Sequence, residues 1–259
     1  MSRAWLSGAP HTAEFLLPHE VFELGLAQGA LLVYIYLVHH KSLKRGANGF
    51  SCAVISKAVG LCEKTVHTHL RTLDNCGLIE VDSHGCEFAC ELCPIRDKVR
   101  KNRNAIPSTH RIGGRHTQQT WLTGEVFDAV FPLPKEVFQL DLKAGDLLVY
   151  IYLQYQKGVR SGQCWPSYST IGAAVSMSRK TVQKHVQALV DKGLIQTEET
   201  TIRRKNGFVY NGSLLYTLKP IQQVMREREK EFLVELKLVG AQRKWDWRNQ
   251  ERDRHRSAL

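Results

Sequence analysis

Five side chains on one short stretch carry most of the chemistry that this 259-residue sequence offers. Arg179, Lys180, Gln183, Lys184 and Gln187 fall at helical spacing between Ser178 and Asp191, so they share one face, and no acid stands among them. Arginine can donate two parallel hydrogen bonds to guanine, glutamine can pair in the same way with adenine, and lysine neutralises phosphate. A charge run on an arbitrary helix is usually a solvated face, so the surrounding elements have to decide. Val182, Val186, Leu189 and Val190 make an apolar stripe on the opposite side, which must face a core. Ser178 is placed to cap the helix by accepting the amide of Thr181 or its neighbour, and Lys192-Gly193 supplies a cationic last turn and a stop. Upstream, Pro166 to Val175 predicts a short helix with its own cap and small residues at the crossing, followed by a tight Ser176-Met177 turn. Downstream come a strand from Gly193-Leu194-Ile195, a basic Asn-Gly loop at Arg203 to Gly207, and strands at Phe208 to Tyr210 and Leu214 to Leu218.

Helix, turn, helix and hairpin, with Pro166-Ser167, Ile171 and the run SRKTVxxxVxxLxxKGLI from Ser178 to Ile195, resembles the winged helix-turn-helix modules of bacterial regulators and plasmid-type replication proteins. The resemblance covers about Phe131 to Pro220. It implies that Ser178 to Gln187 belong to a recognition helix and that the loop around Arg203 is the wing. On that reading Arg179, Thr181, Gln183 and Gln187 face base edges. Ser167, Tyr168, Ser178, Lys180 and Lys184 hold phosphates, and Arg203, Arg204 and Lys205 place the wing along the minor groove.

The chain also repeats itself. Phe15 to Ile79 aligns without a gap on Phe131 to Ile195, at an offset of 116 positions, with about 30 identities over 65. The run LLVYIYL occurs at Leu31 and again at Leu147, and Tyr34, Tyr36, Tyr150 and Tyr152 within it read as core aromatics. Its β-branched and aromatic residues would suit a strand equally well; the acid at Asp146 and the winged-helix order favour a buried helix. The fold class expected is mainly α with small β-wings. Residues 1–95 form the first winged-helix repeat, 96–126 a basic linker giving variable spacing, 127–220 the second repeat, and 221–259 a charged C-terminal helix and tail. The run from Ile221 to Leu238 predicts a helix, which could serve a homodimer, and Arg243 to Leu259 is expected to be mobile.

The copies diverge on the outward face. Glu63, His67 and Thr68 replace Arg179, Gln183 and Lys184, and the first wing is shorter and lacks a basic tip. Lys64, Thr65, His67 and His69 make a weaker candidate DNA surface. Charge follows the same asymmetry: within a net +11, residues 131–220 hold twelve lysines and arginines against six acids, whereas residues 1–94 hold seven against nine.

Other chemistries are poorly supported. His84, Cys86, Cys90 and Cys93 invite a zinc reading, but Cys86 to Leu92 should lie on a strand whose alternation points Cys93 away, so buried thiols are the expectation. His67 and His69 stand two apart on a helix and cannot hold one metal between them. No P-loop, HExxH or GxSxG motif is present, so neither enzymatic activity nor a cofactor is expected, and no small-molecule substrate is evident. Seven scattered cysteines and the lack of any long apolar run fit a cytoplasmic protein with no membrane partner. The sequence therefore reads as a sequence-selective binder of double-stranded DNA, most simply a transcriptional regulator. A replication initiator of a plasmid or mobile element, and a metal- or redox-sensing DNA-binding switch, are the alternatives.

Overall fold

The computed structural model describes residues 14–43, 50–84, 87–92, 130–158, 161–203 and 209–257. Its first half runs β1 (Glu14–Pro18), a 3-10 turn, α1 (Gln28–Leu43), β2 (Phe50–Ser51), α2 (Cys52–Val59), α3 (Glu63–Asn75), β3 (Ile79–His84) and β4 (Glu87–Leu92). The same order recurs as β5 (Val130–Pro134), a 3-10 turn, α4 (Ala144–Gln156), β6 (Gln163–Cys164), α5 (Tyr168–Val175), α6 (Arg179–Asp191) and β7 (Ile195–Glu198). It then adds β8 (Thr201–Arg203), β9 (Val209–Asn211) and β10 (Leu215–Leu218). The chain is thus mainly helical with small antiparallel sheets, in the orders β2-β4-β3, β6-β10-β7 and β8-β9, an arrangement consistent with the winged helix.

The LLVYIYL runs are helical, and both are enclosed: Leu31 to Leu37 and Leu147 to Leu153 are buried without a break. A helix apolar on every side must be covered on every side. In the first half α1 lies against α2 and α3, in the second α4 lies against α5 and α6, and α1 and α4 touch each other. All four tyrosines of the runs are core residues. The turn out of α5 folds back tightly on that helix because position 172 is glycine; a side chain there would run into the Met177 carbonyl.

One sheet joins the halves. β1 pairs antiparallel with β5, from Glu14 opposite Pro134 to Pro18 opposite Val130. This two-stranded ribbon tolerates Pro132 and Pro134 because each strand keeps an unpaired edge. Its apolar positions Phe15, Leu17, Phe131 and Leu133 are buried. The expected variable spacing between repeats is therefore corrected: the described residues up to Leu218 form one compact unit, because the two entering strands pair with each other and their Phe15 and Phe131 rings also pack on rings of both halves.

Residues 219–259 form a second unit, built on α7 (Ile221–Ser257). The helix runs well past Leu238, continuing from Arg243 through Ser257. Apart from Gly240 it consists largely of good helix formers with no proline, and bonds such as Gln242 Nε2 to Asp246 Oδ1 (3.0 Å) tie successive turns. Among the described residues, no helix is long and apolar enough to cross a membrane.

Candidate nucleic-acid interface

Helix α6 begins where its cap dictates. Ser178 holds an extended backbone, and its Oγ accepts the Thr181 amide at 3.1 Å while lying 2.7 Å from the Thr181 hydroxyl. At the other end Gly193, at φ +67°, turns the chain out of the helix into β7, a conformation that favours glycine. Val182, Val186 and Leu189 are buried, and Arg179, Lys180, Gln183, Lys184 and Gln187 are all exposed, with Thr181 half-buried between the two faces. The far end of this face is not free of acid: Gln187 donates through Nε2 to Asp191 Oδ1 at 2.8 Å.

Ahead of α6, Ser167 Oγ accepts the Thr170 amide at 3.1 Å, which starts α5. Tyr168 follows it, half-buried; burial raises its phenol pKa and the nearby Arg179 guanidinium works against that rise. Tyr168 at the start of α5 thus lies within electrostatic reach of Arg179 at the start of α6. Arg203 is exposed at the end of β8, beside exposed Ile202, Val209 and Tyr210 on the same hairpin. Arg204 and Lys205 lie outside the described residues, as do Cys86 and Cys93. His84 and Cys90 occupy β3 and β4, opposite Glu87 and Val81 in the ladder.

A buried fastening behind α6 was not anticipated. Asp146, its side chain 3% exposed, is hydrogen-bonded through Oδ1 to His185 Nδ1 at 2.8 Å, and its second oxygen lies 3.8 Å from Lys192 Nζ. Lys192 also donates to the Asp141 carbonyl at 3.2 Å. Gly145 leaves room for the imidazole, which a side chain there would strike. The signal was present in the sequence as an acid heading an otherwise apolar run, paired with a histidine at the edge of the α6 stripe.

In α3 the stripe is the same, with Val66, Leu70 and Leu73 buried. The cap residue is Cys62, which makes no side-chain cap bond; its sulfur lies 2.9 Å from the Thr65 hydroxyl. Glu63 and Lys64 are exposed, Thr65 and His67 half-buried. His69 is turned against Gly29 of α1, as His185 is against Gly145, and burial lowers its pKa. Ala30 stands where α4 has Asp146, so His69 has no acid at that position.

This geometry, two short helices around a tight turn with the second capped and outward-facing, defines a helix-turn-helix. Residues 140–195 match the family model of a helix-turn-helix domain, which supports DNA binding. No curated protein matches the chain in sequence. Among solved structures, a possible transcriptional regulator from Methanosarcina mazei Go1 is 18% identical, over 41% of this chain and 89% of that one, with a TM-score of 0.27; so loose a likeness carries no argument.

Proposed function

We propose that the protein binds double-stranded DNA with sequence preference and acts as a transcriptional regulator, through tandem winged-helix repeats at 1–95 and 127–220. The observation that carries this reading is the outward face of α6. Five donor-bearing side chains stand exposed on a helix whose opposite face is sealed in a core and whose start is fixed by two hydroxyls. A solvated helix face needs neither this donor bias nor the adjacent α5 terminus with Tyr168 beside Arg179. In this reading Arg179 and Gln183 reach base edges, Lys180 and Lys184 sit on phosphates, and Arg203, with the basic residues that follow it, lies along the backbone or minor groove. The engaged hydroxyls of Ser178 and Thr181 position the helix end.

Binding isotherms of the full chain on short duplexes over a salt series test this. Duplex affinity should fall steeply with salt. Arg179→Ala should cost about 1–3 kcal/mol and relax base preference, whereas Lys184→Ala should weaken all sequences alike and reduce the salt slope by about 1. Affinity indifferent to salt and to both substitutions refutes the assignment.

A further inference from the structure

The 116-position offset relates more than two sequences; it relates two halves by a two-fold operation. Residues paired between β1 and β5 are each other's counterparts in reverse: Phe15 faces Leu133 and Leu17 faces Phe131, with Leu16 opposite its own counterpart, Pro132. The rings across the seam obey the same rule. Phe15–Phe138 and Phe131–Phe22 have centroids 6.4 and 6.3 Å apart. Tyr36–Phe138 and Tyr152–Phe22 are both at 5.0 Å and near perpendicular. The turns before the outward helices also cross the seam reciprocally, with the Ser176 hydroxyl donating to the Leu26 carbonyl at 3.1 Å and the backbone of Gly60 beside the Leu142 carbonyl. Contacts in which i meets j and j meets i are the mark of an isologous interface.

We infer that one chain presents α3 and α6 as the two dyad-related halves of a single reading surface, and that its target is an inverted pair of unequal half-sites on one duplex. This rests on the DNA-binding reading proposed above. Two-fold symmetry in a helix-turn-helix protein is mirrored in its site, normally by two chains; here both halves come from one. The inequality follows from the first helical position, which is Arg179 in α6 and Glu63 in α3, both exposed. Arginine bonds guanine O6 and N7, and a carboxylate accepts from cytosine N4. The half-site under α6 should therefore show guanine where the half-site under α3 shows cytosine.

Selection of bound duplexes from a random pool by the full-length chain, with native mass spectrometry of the recovered complexes, tests this. An inverted, imperfect palindrome bound by one chain is expected. Glu63→Arg should shift the matching base of the weaker half from cytosine to guanine by about tenfold, making the site more symmetric, and Arg179→Glu should do the reverse in the other half. A direct repeat, a lone half-site, two chains on one palindrome, or base preferences unmoved by both swaps overturns the inference while leaving DNA binding intact. Failure to bind any duplex overturns both.

Discussion

Helices α3 and α6 occupy equivalent places, bury equivalent stripes and end at equivalent glycines, yet they are fastened differently. Behind α6, Asp146 holds His185 and lies near Lys192, and Ser178 caps the start. Behind α3 the counterparts are Ala30, His69 and Cys76, and the cap is Cys62. The apolar scaffold of the two halves has stayed alike, whereas polar anchoring and outward charge have parted. Core packing thus sets where each helix lies, and a small set of polar residues sets how firmly it is held and what it offers to a partner.

Seven substitutions probe the comparison. Leu189→Ala and Leu73→Ala remove equivalent, fully buried side chains and should each cost about 2–5 kcal/mol in urea unfolding. A large inequality between them would show that the two cores are not equivalent. Asp146→Ala strips His185 and Lys192 of their shared acid and should cost about 1.5–3 kcal/mol, whereas Ala30→Asp should raise the His69 pKa, read by NMR titration, by giving it the partner that His185 has. An unchanged His69 titration would mean that the acid is not what distinguishes the two anchors.

His39 is the third probe, since Tyr155 is its counterpart across the seam. Burial among Phe15, Tyr36 and Phe138, aided by the nearby charges of His40 and Lys135, lowers its pKa from 6.5 to about 4. The unfolded chain takes up this proton first, so stability present above pH 6.5 is lost as pH falls towards 4, by about 2 kcal/mol at pH 5. His39→Tyr should remove that part of the pH dependence, compared as urea midpoints at pH 5 and pH 8. The smallest effects concern the caps: Ser178→Ala should cost about 1 kcal/mol, and Cys62→Ser should gain up to about that much. Thermal melts showing no loss for the first and no gain for the second would remove the caps from the list of differences.

Local signals were legible in the chain itself. The cap at Ser178, the stripe at Val182, Val186 and Leu189, and the stop at Gly193 together delimit α6, because each depends on residues within a few positions of it. The LLVYIYL runs were ambiguous for a physical reason: a helix buried all round loses the periodicity that distinguishes it from a strand. Asp146 was readable as a helix start but not as a partner of His185, which lies 39 positions away and is brought near only by packing. The β1–β5 ribbon was hidden altogether. Nothing within Glu14–Pro18 marks a strand whose mate begins more than a hundred residues later. Helix α7 was legible over Ile221 to Leu238 from its Glu, Lys and Arg content, whereas beyond Arg243 no apolar stripe marks its continuation.

The ribbon also governs the order in which the protein can be made. Until Pro134 has been synthesised and has left the ribosome, β1 has no mate, and Phe15, although it meets His39 of α1, lacks its contact with Phe138. The first half must therefore wait for the second to mature. A fragment ending before β5 would carry a sticky strand that can find its complement only on another molecule.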